Sequence, residues 1–213
     1  MGRRRDIDGR QLLLDAALRL FATQGAEGVS IRAVNREAGL GPASVHYHFG
    51  TKEALLEAVL SVHSDTVNDQ LRVRAREIAR GDGPTTPRDL VLMLAQPHLD
   101  LMLREGRPGH DWVRLVSLQL QSHPSRILDR SSTKLTRAAA ARVFPCAAAD
   151  DVARAMRMCF TLLVTHLAHA GPPRRRSTTS ADLELLFDFL SAGLEATLGS
   201  RSDDSRRDRH RSA

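Results

Sequence analysis

An all-α protein is the fold class the sequence predicts, and three observations carry that expectation. Apolar residues make up 42% of the 213, with Leu, Ala and Val dominating, while aromatics supply only 4%. That composition favours helices over strands. Apolar positions recur at i, i+3, i+4 spacing over long stretches. Between those stretches stand the glycines, prolines and hydroxyl residues that start and stop helices. No apolar run approaches the roughly 18 residues of a bilayer crossing. The opening run from Met1 to Asp6 is charged, with no hydrophobic signal core behind it, so a cytoplasmic protein is expected.

In order, residues 1–9 read as a flexible basic arm beginning with Arg3, Arg4 and Arg5. Over 10–23, Leu13, Ala16, Ala17, Leu20 and Phe21 fall on one helix face, and Gly25 ends that helix. Ser30 is a good N-cap for a helix to about Ala38, with Ile31, Val34 and Ala38 facing inward. Gly39 supplies a turn. Pro42 suits the first turn of the next helix, where its missing N–H costs nothing, and that helix closes near Phe49 and Gly50. Thr51 caps a fourth helix, and Leu55, Leu56, Val59, Leu60 and Val62 carry it towards Ile78. The stretch 81–87 is a linker by composition. Further helices are predicted over about 88–104, 110–122, 126–143, 150–169 and 181–198. An exposed loop is expected over 171–180, and a charged, apolar-poor, disordered tail over 200–213.

The stretch 30–56 says most about function. It holds two short helices joined by a glycine turn, the second crowded with Ala43, Ser44, His46 and Tyr47. A chain presents one helix to the DNA major groove and braces it with another in this way. Bulky aliphatic side chains on that face would hold it away from the base edges. Leu40, Val45 and Phe49 belong in the core of the small unit and Arg36 on its solvated face. His46 and His48 stand two apart and diverge on a helix, so no metal site is expected.

Charge is weaker support. The net charge is +6 and the pI near 10.5, but arginines gather at 3–5, 174–176 and 201–211. Within 30–56, Arg32, Arg36 and Lys52 are offset by Glu37 and Glu53. Arginine is the chain's habitual cation, and Lys52 and Lys134 are its only lysines. Cys146 and Cys159 form no disulfide or metal framework and read as ordinary buried thiols.

With these residues in view, the chain resembles the N-terminal DNA-binding domain of the TetR family of bacterial transcription regulators. The match runs over about 10–62. It rests on Ala38, Gly39 and Leu40, on Tyr47, His48 and Phe49, and on the run from Thr51 to Leu56, in order and at family spacing. The remainder matches only in helix count and length. The resemblance implies a helix-turn-helix DNA-binding domain over 10–56, with a linking fourth helix from about 52. A helical ligand-binding and dimerisation domain follows over 57–199.

The resemblance places phosphate contacts at Ser30, Tyr47, His48 and Lys52, and base-facing positions at Arg32, Pro42, Ala43, Ser44 and His46. The chemistry agrees. An Arg32 fork suits guanine O6 and N7, worth roughly 1–3 kcal/mol of discrimination, and Pro42 and Ala43 suit a thymine methyl. Ser30 and Lys52 each begin a helix, where backbone N–H groups favour a phosphate. Two positions depart from the family pattern. Gly41 stands where a polar cap is usual, and His46 where Tyr is usual.

The resemblance further implies that the last two long helices build a four-helix interface with a twofold mate. Both carry wide apolar stripes, and mate-facing positions are expected at Leu163, Leu167, Leu183, Leu186, Phe187, Leu190 and Leu194. An effector pocket is expected among the middle helices. Its lining candidates are Met93, His98, Met102, Trp112, Leu115, Met156 and Phe160, with Arg114 and His166 as polar partners. The function implied is a sequence-specific regulator, most commonly a repressor, that binds a palindromic operator as a homodimer and is released by a small-molecule effector. No cofactor, metal or membrane partner is expected. No Gly-rich phosphate loop, metal-ligand cluster or Ser/His/Asp spacing marks an enzyme. The alternative is a helical interaction module or a ligand-binding protein without operator binding, which leaves 30–52 unexplained.

Overall fold

The computed structural model describes residues 2–81, 85–123, 127, 130–171 and 181–199, with the side chains of 2–7 and 130–132 outside that description. Among the described residues there are nine α-helices and no strand. They are α1 (Gly2–Gly28), α2 (Ile31–Glu37), α3 (Ser44–Phe49), α4 (Lys52–Arg80), α5 (Pro87–Glu105), α6 (Arg107–Ser122), α7 (Arg130–Val143), α8 (Ala149–His169) and α9 (Ala181–Leu194). A single π-helical stretch, Glu195–Gly199, prolongs α9. Most of the loop expected over 171–180 and the tail expected over 200–213 lie outside the described residues.

Local chemistry sets the limits of the first four helices. In α1, Leu13, Ala16, Ala17 and Phe21 are fully buried, as their spacing predicts. Gly25 breaks the helix at φ 74° and ψ 154°, a positive-φ conformation open essentially to glycine alone. One more turn then continues to Gly28. The helix also takes in residues 2–9, which the sequence assigns to a flexible arm.

Ser30 caps α2, its Oγ accepting from the Ala33 N–H at 3.2 Å. The helix ends in a Schellman turn. Leu40 N–H donates to the Asn35 carbonyl at 2.9 Å and Gly39 N–H to that of Arg36 at 3.1 Å, with Gly39 at φ 67°. Thr51 caps α4 through Oγ1, which accepts from Ala54 N–H at 3.1 Å.

The remaining helices wrap around α6. It packs against α1 in the head and against α5 and α8 in the larger part, while α4 lies along α5 and α7. Trp112, Val113, Leu115 and Val116 of α6 are buried at this junction. The helix α9 packs on α5. Arg88 pins that contact, bridging Glu184 and Asp188 with its guanidinium over the Phe187 ring at 5.8 Å.

Within one protomer the residues expected to face a mate are placed as follows. Leu163, Leu167, Leu183, Phe187, Leu190 and Leu194 are buried inside the protomer, none more than 8% exposed, and Leu186 is half-buried. The α8 face packs on α6 and α5, and the α9 face packs on α5. The large apolar chains that reach outward are Met158 and Leu162 on α8 and Leu185 and Phe189 on α9, between 48% and 68% exposed.

Candidate functional site

The nine residues expected to meet DNA all lie at the surface of the head. Ser30 and Arg32 are exposed at the start of α2, and Pro42, Ala43, His46 and Tyr47 are exposed along the turn and α3. Ser44, His48 and Lys52 are partly covered. Tyr47 projects furthest, with 74% of its surface open. At that exposure the ring adds little to the core of the head, and its phenol O–H is open to an outside partner.

Pro42 is not in the first turn of α3, as its residue type suggests. It sits in the turn before the helix, which begins at Ser44 with Ala43 as its N-cap. Ala43 carries no side-chain acceptor, and Gly41 offers none either. The cap comes instead from Asn35 in the middle of α2, a residue the sequence reading passed over. Its Oδ1 accepts from Val45 N–H at 3.1 Å, and its Nδ2 donates to the Pro42 carbonyl at 2.7 Å. Asn35 is only 2% exposed, so these two bonds satisfy a buried amide and fix the angle between α2 and α3. The signal for it was weak but present: a poor helix former inside a short helix, opposite a helix start with no cap of its own.

Further contacts hold this face. Lys52 Nζ donates to the Val29 carbonyl at 3.2 Å, tying the start of α4 to the α1–α2 turn while two of its ammonium protons stay available. His48 lies against α1, where a Cβ on Gly9 would come within 3.3 Å of Nε2. It meets Tyr47 edge-on, with ring centroids 4.9 Å apart, so it orients the tyrosine as well as facing outward. The Arg10 guanidinium lies 5.2 Å from the Phe49 ring centroid. Glu37 is paired with Arg19 at 3.1 Å, which removes one of the two nearby carboxylates from opposition to Arg32 and Arg36.

A cavity of about 430 Å³ lies among α4, α5, α6, α7 and α8. His98, Trp112, Met156 and Phe160 line it. The other pocket candidates do not. Met93, Met102 and Leu115 are packed core, each at most 2% exposed. Arg114 is exposed and His166 half-buried, both away from the lining. Buried Met and cavity-lining Met share one sequence signature, so composition does not separate them.

The polar lining residues that the sequence reading missed are Ser64 and Asn68 on α4, Thr133, Thr136 and Arg137 on α7, and Arg157 on α8. The Trp112 indole N–H donates to the Leu60 carbonyl at 2.9 Å, fastening the cavity wall to α4. His98 Nδ1 lies 2.9 Å from the Leu94 carbonyl. A carbonyl only accepts, so Nδ1 carries the proton. Burial pushes the pKa of His98 down to about 4, and the ring is neutral near pH 7.

Residues 13–59 match the family model described as bacterial regulatory proteins, tetR family. The transcriptional regulator BetI of Rhizobium meliloti is 37% identical over 86 residues, 40% of this chain and 39% of its own length. The nicotine-responsive transcriptional repressor HdnoR of Paenarthrobacter nicotinovorans is 40% identical over 52 residues, 24% of this chain and 27% of its own length. The chain thus spans well under half the length of the curated relatives it matches. Among solved structures, the multidrug binding protein EbrR, complexed with malachite green, superposes with a TM-score of 0.56. That match has 18% identity and covers 86% of this chain and 96% of that one. This last likeness is one of fold.

Proposed function

Because residues 13–59 match the tetR family of bacterial regulatory proteins, we propose that the chain is a sequence-specific DNA-binding regulator of that family. In this reading it represses transcription as a homodimer on a palindromic operator and is released by a small-molecule effector. One observation carries the reading: an α3 capped from a second helix, whose open face offers Tyr47, His46 and Ala43 with Arg32 on the bracing helix beside it. Ser30 Oγ accepts from the backbone, so its own O–H remains free to donate to a phosphate. Among the described residues no helix is long and apolar enough to cross a membrane, which fits a protein that works on DNA in the cytoplasm.

The exposed Met158, Leu162, Leu185 and Phe189 supply the proposed mate-facing surface. They repeat at i, i+4 on adjacent terminal helices, and an apolar patch of this kind marks an interface. Two heads on a twofold would then meet half-sites about one helical turn, or a multiple of it, apart.

Release follows from α4. One end is tied to the reading head through Lys52 and Val29, and its middle forms cavity wall at Leu60, Ser64 and Val67. An effector that binds one setting of α4 better than the other shifts the population of heads spaced for DNA by that difference in affinity.

A gel-shift titration against the DNA upstream of the protein's own coding sequence tests the reading. Arg32→Ala is expected to weaken binding roughly tenfold and to relax the preference at one base pair, the loss of a bidentate contact. Unchanged affinity and unchanged sequence preference in that variant would remove Arg32 from the contact set.

A further inference from the structure

The cavity is asymmetric in charge. Arg137 of α7 and Arg157 of α8 both line it, and among the described lining residues there is no carboxylate. Thr133, Thr136 and Arg137 fall at i, i+3 and i+4 on α7, so they share one face. Arg157 lies one turn from Phe160 on α8. The neighbouring acid on α8, Asp151, is already engaged with Arg154. Opposite stand the apolar Leu60, Val67 and Leu71 of α4 and the Trp112 and His98 rings. The α7–α8 wall therefore carries the cavity's two guanidinium groups, and the facing wall is mostly apolar, with Ser64, Asn68 and neutral His98 its uncharged polar members.

From this we propose that the cavity takes an organic anion, an apolar body carrying one carboxylate, with the head held by Arg137 and Arg157 and the body against α4, α5 and α6. The proposal rests on the reading of this cavity as the effector site. A carboxylate gains a bidentate, charge-assisted pair from a guanidinium, roughly twice the strength of a neutral hydrogen bond. A cation has no carboxylate to meet it and only the rings and uncharged polar groups to attract it, and it faces two like charges. The rings are also poorly placed as a cage. Trp112 is stacked on His98 at 28° with centroids 6.4 Å apart, and His63 meets it edge-on at 5.9 Å. The indole N–H is spent on Leu60, and neutral His98 adds no competing charge near pH 7. A ligand with an uncharged head is accepted by the apolar wall but leaves both arginines unanswered.

The test is a calorimetric titration of the full chain near pH 7.5 with three probes that share one ring system: 2-naphthoate, 2-naphthol and 2-naphthylmethylammonium. The anion is expected to bind about tenfold or more tightly than the alcohol, and the ammonium to give no heat. The double variant Arg137→Gln with Arg157→Gln should bring naphthoate down to the level of naphthol and leave naphthol unchanged. Met156→Trp, which fills the cavity, should abolish both. The anion assignment is overturned if the ammonium binds as well as the naphthoate, if the double variant keeps its preference, or if none of the three binds. A parallel gel shift separates the two layers. Naphthoate that binds without loosening the DNA complex leaves the anion class standing and overturns the effector role. DNA release by the ammonium keeps the effector role and overturns the anion class.

Discussion

Replacing Asn35 by alanine is expected to unfasten α3 from the head, at a cost of about 1–3 kcal/mol. The substitution removes the acceptor for Val45 N–H and the donor to the Pro42 carbonyl together. Val45 is fully buried, so water does not readily replace the lost partner. No neighbour does either, because Ala43 and Gly41 have no side-chain oxygen. Amide exchange at Val45 should accelerate about tenfold or more, since every 1.4 kcal/mol is a factor of ten, while α5 and α8 keep their protection. DNA affinity should fall with it, because α3 must be ordered at the moment of binding. Unchanged exchange at Val45 in Asn35→Ala would show that α3 is held by its apolar packing alone.

Replacing Leu185 and Phe189 with glutamate is expected to split the proposed dimer. Both side chains are about two-thirds exposed in the protomer, so the fold of one chain should survive, with helicity unchanged by circular dichroism. In a twofold assembly the pair of substitutions places four carboxylates in one apolar contact. Interface anchors commonly cost 2 kcal/mol or more each when truncated, and buried, unpaired charge costs further. Sedimentation should therefore show a dimer dissociation constant raised at least about a hundredfold, with binding to a full palindrome weakened while binding to a single half-site is kept. A variant that stays dimeric would move the interface to another face. The same substitutions at Phe187 and Leu190, which are core, should unfold the chain instead.

Much of the head was legible because its signals are local. Ser30, Gly39 and Thr51 each act within four residues of their own position, and helix caps are written in the sequence at that range. The cap of α3 is not local. Asn35 reaches it from ten residues away, and no periodicity marks such a partnership, so Pro42 drew attention as a helix start, whereas the helix begins two residues later at Ser44.

The larger part was legible as helices but not as surfaces. The apolar stripes of α8 and α9 are wider than one interface needs, and spacing alone does not say which half belongs to α5 and α6 and which to a mate. Leu163 and Leu162 are neighbours in sequence, and packing buries the first and leaves the second 48% open. The cavity hid for a related reason. Ser64, Thr136 and Arg157 read as the solvated side of amphipathic helices, and only the arrangement of α4, α7 and α8 brings them to the lining of one cavity, with Arg157 still exposed.

Selection of bound fragments from random DNA by the full chain, followed by sequencing, tests the central claim most directly. The account predicts enrichment of an inverted repeat whose half-sites are about one helical turn, or a multiple of it, apart. Recovery of sequences no different from the input pool would contradict it.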